Sequence, residues 1–439
     1  MTIKALYPTV RPTLNLDFAK TKALDPRITF TRASTATFVG SNGLIQTAAS
    51  GAARFDHNPT TSESLGLLVE EARTNLQTYS EQLDNAAWTK NNTTVTANAT
   101  TAPDGTLTAD RLLETATTVS FYVANFGGAT ATPGTYTASV FAKGDGSGRL
   151  LNMTLQQSGA YQQSYFNLST GTVSNVDVSL TASIQALSNG WYRCSVTGTS
   201  SSATTLFLYS AVAAGENSVY VTRAGSASAG LFLWGAQLEA GAFPTSYIPT
   251  TTATVTRAAE VVDITGGNFS SWFNSSVGTF FTDSTNMPLA SNIALSTYNT
   301  NNTVAFALGT NAPDGGRAYL PLLGHLSNNT IIAQVFHYNG GGTNFGPTIQ
   351  NTISNTANIN KMAFYTDPPN QLFAVAVAGQ IATLDTNFGR TGANSYTLAN
   401  MMRIGYNGGF YGNYNGRIKR ITYYPTRLSN SQLLTLIAT

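Results

Sequence analysis

Along almost the whole chain, apolar and polar residues alternate in short runs, and Gly, Asn, Ser or Pro separates one run from the next. Gly134-Thr-Tyr-Thr-Ala-Ser-Val-Phe-Ala-Lys143 and Trp191-Tyr-Arg-Cys-Ser-Val-Thr197 are clear cases. A period of two puts successive side chains on opposite faces of a strand, so each run has one face to bury and one to show. Repeated short runs with turn signals between them predict an all-β chain of packed sheets. The scarcity of charge agrees. Asp, Glu, Lys and Arg make up 10% of the 439 residues, against about 25% in an average soluble domain. Long helical and coiled-coil proteins, which are rich in Glu, Lys and Arg, are excluded. A net charge of +2 and a hydrophobic share of 42% exclude charge-driven disorder. No concentrated basic field exists for nucleic acid. What remains is a β-rich fold with a neutral surface of hydroxyls and amides.

The runs fall into three regions. Residues 1–75 are irregular, with short strands predicted at Leu14–Phe18, Ile28–Phe30 and Thr37–Val39. Charge is densest here: Arg27, Arg32, Arg54 and Arg73 stand among Asp25, Asp56, Glu63, Glu70 and Glu71. These ions are either solvated or paired locally, or they form an assembly segment that docks on partners through Arg–carboxylate forks. Large apolar residues are too few for this segment to build a core alone. Residues 76–250 read as a first β-sandwich, with strands from Gly134 to Leu238, among them Val219–Thr222, and one helix start at Ser80–Trp88, where Ser80 would cap. Residues 249–257 form a Thr-rich extended linker. Residues 258–439 read as a second sandwich. In its last run, Asn415–Pro425, Ile418 and Ile421 sit three apart, which predicts a bulge. A short helix capped by Ser or Asn follows over Leu428–Ile437.

The single cysteine, Cys194, excludes a disulfide framework and reads as an inward-facing, inert thiol. The first residues lack the apolar core of a secretory peptide, and no run of 18 apolar residues is present to insert in a membrane. Synthesis in a cytosol combined with an extracellular style of surface is what a virion component needs.

Three sets of residues together resemble a known group of proteins. Leu24-Asp-Pro-Arg-Ile-Thr-Phe-Thr-Arg-Ala-Ser-Thr-Ala-Thr-Phe38 and Gly66-Leu-Leu-Val-Glu-Glu-Ala-Arg-Thr-Asn-Leu76 resemble the N-terminal region of tailed-bacteriophage structural proteins of the tail-fibre and head-spike-fibre type. Tyr79–Lys90, Ala102–Thr106, Trp234–Glu239 and Tyr247–Thr250 are similar to the carbohydrate-binding-module-like jelly rolls of the same proteins. Gly416–Tyr424 with Arg427-Leu-Ser429 looks like the closing strand and helix of concanavalin-A/laminin-G-like domains. The resemblance implies a virion location, homotrimer formation and contact with host-surface glycan. Residues 1–75 would then join other virion proteins.

Glycan recognition rests on aromatic faces against sugar C–H surfaces, with amides and hydroxyls reading the sugar hydroxyls. Two Gly/Asn/aromatic loops have that composition. The first offers Tyr406, Asn407, Phe410, Tyr411 and Tyr414, the second His337, Tyr338 and Asn344. Both also read as ordinary hairpin loops or trimer contacts. Trp191 and Trp234 lie in alternating strands and belong to the core, whereas Trp88 and Trp272 have no evident place. No cofactor is expected beyond a structural Ca²⁺, for which Asp104, Asp110 and Glu239 are the candidate ligands; Pro103-Asp104-Gly105 also reads as a plain turn. His57, His325 and His337 match no zinc spacing.

A glycosidase needs two carboxylates about 5–9.5 Å apart. Residues 261–439 contain Asp263, Asp283, Asp314, Asp367 and Asp385, widely scattered, and no Glu. The expectation is therefore a non-enzymatic virion protein, a trimeric tail fibre or spike that contacts host-surface glycan. Two other readings stand beside it: a capsid-decorating head fibre or cement protein, and a glycan depolymerase.

Overall fold

The computed structural model describes residues 8–438 apart from 120–121, 126–131, 158–159, 175, 201–204, 213–222, 287–305, 310–317, 326–329, 339–347, 353–360, 368–371, 378–379, 386–399 and 406–413. The predicted strand Val219–Thr222 lies outside the described residues.

The alternating runs of the middle region pair into two antiparallel sheets. One has the order Thr181–Ala186, Tyr192–Ser200, Gly134–Gly144, Gly230–Ala240, Ala109–Glu114, Thr93–Thr100. The other runs Thr172–Ser174, Ala160–Asn167, Leu150–Gln157, Thr205–Val212, Tyr122–Asn125, Trp88–Asn91. Period two decides what lies between them. Ala138, Val140 and Ala142 of one sheet meet Leu151, Met153 and Leu155 of the other in a single core. Cys194 sits in that core, fully buried, and burial pushes its thiol well above the ordinary value.

The helix predicted at Ser80 is absent. Residues 80–87 pass through turns, and Trp88 opens a strand. Ser80 does not cap, because its Oγ is held 2.7 Å from Tyr247 Oη and accepts a bond from Thr250 N. Trp88 is buried, and its Nε1 donates to Tyr79 O at 3.0 Å. Tertiary contacts override the local capping preference.

The outer sandwich is where sequence and structure part most. One sheet has the order Gln380–Asp385, Leu372–Val377, Lys361–Asp367, Gly278–Asn286, Gly416–Tyr424, Ser64–Val69, Arg54–His57. Leu14–Asp17 also pairs with Gly416–Tyr424, with Leu14 opposite Tyr423. The facing sheet begins with Thr29–Thr31 against Val261–Thr265 and continues through Met401–Ile404 and Phe306–Gly309. Residues 1–75 are therefore not a separate docking segment followed by two consecutive sandwiches. They supply strands to both sheets of the C-terminal sandwich. The reason is apolar supply: Leu14, Leu16, Phe18, Leu67 and Val69 cannot form a core alone, but they complete the one made by Val262, Ile264, Phe280, Ile404 and Ile421. Trp272 belongs to the same core.

The middle sandwich is an insertion in this outer one. The chain leaves along Arg73–Asn75 and returns along Val255–Arg257, and these two strands pair antiparallel. The Thr-rich linker is thus half of a two-stranded neck.

Two local expectations hold. Lys419 is the extra residue of a bulge, because Asp283 pairs with Arg420 and Ser284 with Ile418. The helix Asn430–Ala438 has a capping box: Gln432 N donates to Ser429 Oγ and Ser429 N to Gln432 Oε1. Its residues Leu433, Leu436 and Ile437 pack on the outside of the first sheet, against Phe281 and Ala376.

At Gly66, φ is +87°, and a Cβ there would lie 2.1 Å from Ile418 O. A Gly66→Ala protein is expected to lose about 1–3 kcal/mol in urea unfolding. Leu16→Ala should cost about 2–5 kcal/mol by the same measurement, as a core residue and not as part of a free arm. Stability unchanged by Leu16→Ala would refute the placement of the N-terminal strand in the outer sandwich.

Candidate functional site

The neck holds a set of charges that positions everything around it. Arg54 Nη2 lies 2.8 Å from Glu70 Oε2 and 2.6 Å from Glu260 Oε1, with all three side chains fully buried. Arg32 Nη1 reaches Glu260 Oε1 at 3.1 Å. Arg257 balances the two carboxylates from 3.5 and 3.6 Å. Glu70 accepts from Ser246 N at 2.7 Å and from Ser246 Oγ at 2.6 Å, and Arg54 Nη1 donates to Thr37 O at 2.8 Å. Buried charges persist only when paired and hydrogen-bonded, so these distances tie the strand Ala36–Val39, the neck and the end of the inserted sandwich together. Arg27 pairs with Asp25 and Arg73 with Glu71. Of the early charges, Arg27 and Arg73 pair locally, while Arg32 and Arg54 pair with Glu260, more than 200 residues away.

This anchoring sets the hairpin Ala36–Val39/Ile45–Ala48 against the outer face of the inserted sandwich. Ile45 packs there with Phe141, Leu187, Trp191, Trp234 and Tyr247. The cover is incomplete, and a cavity of about 370 Å³ remains between the two sandwiches. That is near the lower end of the roughly 300–1,000 Å³ range of small-molecule sites.

The floor of the cleft follows from strand register. Gln185 pairs with Arg193, and Arg193 with Phe141, which makes one row across three strands. Ser183, Ser195 and Ser139 make the next row, with Ser183 Oγ 2.7 Å from Ser195 Oγ. Alternation explains the pattern: Cys194 and Val196 point into the core, so Arg193 and Ser195 point out. Apolar walls come from Phe38, Pro59, Leu68 and Pro244. The far wall carries Asp56 and Arg417. Arg417 Nε donates to Asp56 Oδ2 at 2.5 Å, and Asp56 Oδ1 accepts from Val39 N at 2.7 Å. That pair is neutral in sum.

Arg193 is different. Its Nη2 donates to Ser139 Oγ at 3.0 Å, and its guanidinium lies 5.3 Å from the centre of the Phe141 ring. Among the described residues it has no carboxylate at ion-pair distance, and its buried Nε has no hydrogen-bond acceptor. Burial pushes the guanidinium below its ordinary value; Glu239 and Glu70 only partly offset this, and Arg417 adds to it. A buried donor without an acceptor costs about 1–3 kcal/mol.

The residues singled out from the sequence lie elsewhere. Tyr406, Asn407, Phe410, Tyr411 and Asn344 are outside the described residues. His337 and Tyr338 end the strand Thr330–Tyr338, opposite Tyr319 and Ala318. Tyr414 is a correction. It is fully buried in the outer core, its hydroxyl donates to Arg417 O at 3.1 Å, and burial raises its phenol, so it has no face to offer a sugar. Asp104 accepts from Thr106 N in an exposed turn. Asp110 accepts from Leu83 N and Asn98 N, and burial raises its carboxyl. Glu239 accepts from Thr245 N and Gln237 Nε2. The three serve separate backbone segments, and among the described residues no three His, Cys, Asp or Glu gather as metal ligands. The cleft residues escaped the sequence reading because their partners are distant in sequence. The one available signal was an arginine on the outward face of the run Trp191–Thr197.

No family model and no curated protein matches the chain. Among solved structures, the carbohydrate-binding module CBM40 of Ruminococcus gnavus IT-sialidase, bound to α2,6-sialyllactose, aligns at 15% identity over 37% of this chain and 83% of its own, with a TM-score of 0.27. The same module bound to α2,3-sialyllactose aligns at 16% identity over 37% and 82%, TM-score 0.27. Mouse laminin α1 chain domains LG4-5 align at 10% identity over 72% and 88%, TM-score 0.22. Likeness at this level carries no argument, and the all-β fold rests on the sheets themselves.

Burial alone would raise the Glu70 carboxyl, but Arg257, then Arg54, and both donors of Ser246 hold it well below the usual carboxylate range. A lowered folded value means that Glu70 contributes its full stability above the ordinary glutamate value of about 4.3 and loses it as pH falls through the folded value. Glu70→Gln is expected to cost about 3–5 kcal/mol at neutral pH, because it strands buried cations. It should also flatten the loss of thermal stability below about pH 5. An acid limb identical to wild type would show that Glu70 does not carry this dependence.

Proposed function

We propose that the protein is a non-catalytic glycan-binding protein and that the cleft over the Gln185–Arg193–Phe141 row holds the sugar. The observation that carries this is the lining. An amide and paired serine hydroxyls sit in register beside an aromatic ring, between apolar walls. Sugars present that mixture of hydroxyls and C–H surface, and such sites are mostly apolar with a few placed polar groups. Asp56 is the one carboxylate among the cleft's lining residues, and it is occupied by Arg417 and Val39 N. A hydrolytic pair of free carboxylates is not present there, which favours binding over cleavage.

We further propose that the protein acts as an adhesive tail fibre or spike of a bacteriophage virion, assembled as a homotrimer. The runs Leu24–Phe38 and Gly66–Leu76 support this through their resemblance to virion proteins. Linked identical sites raise avidity by about 10²–10⁴ without any new contact, so a cleft of modest affinity suffices.

The test is a glycan array probed with the full chain and with Ser183→Trp, whose indole would fill the exposed side of the cleft. Wild type should bind a subset of host-surface glycans, and the variant should lose that binding at least about tenfold while keeping its melting temperature. Undiminished binding by the variant would rule the cleft out.

A further inference from the structure

Most arginines that line the core or the cleft have a carboxylate partner among the described residues. Arg32, Arg54 and Arg257 have Glu partners, Arg111 pairs with Asp145, Arg149 with Glu114, Arg403 with Asp263 and Arg417 with Asp56. Arg193 has none among those residues, although its Nε is buried, whereas Arg420, also without one, is met by Asn15 and Thr422. A guanidinium has five N–H donors and no acceptor capacity. Among the described residues, one acceptor is in place, Ser139 Oγ.

The charges facing it are accounted for. On the floor, its cross-strand neighbours Gln185 and Phe141 are uncharged. On the far wall, Asp56 is committed to Arg417. Glu70 belongs to the neck, held by Arg54 and Ser246. Glu239 is hydrogen-bonded to the neutral Gln237 and Thr245, and its charge partly offsets the burial of Arg193 without an ion-pair contact. Of the two cations lining the cleft, Arg193 and Arg417, Arg193 is therefore the one that no carboxylate contacts among the described residues. Its guanidinium lies over the Phe141 ring, in a row with the Gln185 amide and next to the Ser183 and Ser195 hydroxyls.

From this we infer that the cleft selects acidic sugars, with Arg193 as the specificity-determining residue that takes the carboxylate of the ligand. The inference rests on the glycan-binding reading and narrows it. A carboxylate is the fitting anion because its two oxygens match the planar N–H fork, and such pairs are charge-assisted. Gln185 and the Ser183–Ser195 pair then face the sugar hydroxyls next to the acid group. No bond is made or broken, and the ligand supplies the anion that the fold leaves out.

The experiment titrates the full chain with glucuronate and galacturonate, and with glucose and galactose as their neutral counterparts. Binding is read by calorimetry or ligand-observed NMR for wild type, Arg193→Gln and Arg193→Lys. Wild type is expected to favour at least one uronate over its neutral parent by about 10- to 100-fold, the span of a charge-assisted contact. Arg193→Gln should abolish that preference, bringing the uronate-to-neutral affinity ratio to about one. Arg193→Lys should restore it in part, since the charge returns without the fork. Gln keeps a donor for Ser139, so a thermal melt checks that the variant folds. Equal affinity of wild type for uronates and neutral sugars would overturn the acidic inference and leave the glycan reading standing. A uronate preference that survives in Arg193→Gln would overturn the role of Arg193. Binding of neither class would overturn both readings.

Discussion

The structure depends on the buried contact of Arg54 with Glu70 and Glu260. Arg54 and Glu70 come from the N-terminal strands, and Glu260 comes from the segment that returns after the inserted sandwich. Arg32 and Arg257 complete the set, and Ser246 links it to the end of the insertion. A buried ion group is weak evidence for stability in itself, because desolvation offsets most of the attraction. Its consequence in this protein is positional. Each charge has its partner on another stretch of chain, so the charges are satisfied only when outer sandwich, neck and insertion are all in place. The cleft between the sandwiches inherits its width from that arrangement.

The same logic governs the outer sandwich. Its closing strand Gly416–Tyr424 pairs with Leu14–Asp17 and with Ser64–Val69, so both ends of the chain meet in one sheet. Contacts such as Leu14 with Tyr423 span nearly the whole sequence, and loop closure makes such pairings slow to form. The inserted sandwich has a core of its own between residues 83 and 238. It can therefore form before the outer sheets close around its neck.

Much of the fold was legible in the sequence. Gly134–Gly144 and Tyr192–Ser200 are strands because a period of two leaves them no better structure, and Ser429-x-x-Gln432 caps a helix because its two side chains reach its own backbone. The bulge at Lys419 was visible as a broken alternation. Other features were not local. Ser80 looked like a cap, but Tyr247 and Thr250 claim its hydroxyl from more than 160 residues away. Tyr414 looked like a sugar platform because of its Gly/Asn setting, yet the core takes its ring. The cleft was illegible for the same reason: Gln185, Arg193 and Phe141 form a row only through pairing register.

The alternating pattern and the shortage of charge determined by themselves that this chain is all-β, because period two gives each strand one face to bury and a neutral surface leaves few ions to place. The dense early charges also announced that something specific happens in residues 1–75. Only the tertiary structure decided what that is. Those ions pair inside the molecule, and the strands that carry them belong to a sandwich whose other half begins nearly 190 residues later. The physical reason is that periodicity is a property of a segment, whereas burial of a charge or closure of a sheet depends on which segments meet. Arg193 shows the difference in one residue: its outward direction is written in the alternation of its strand, and that no carboxylate among the described residues pairs with it is visible only once the facing walls are in place.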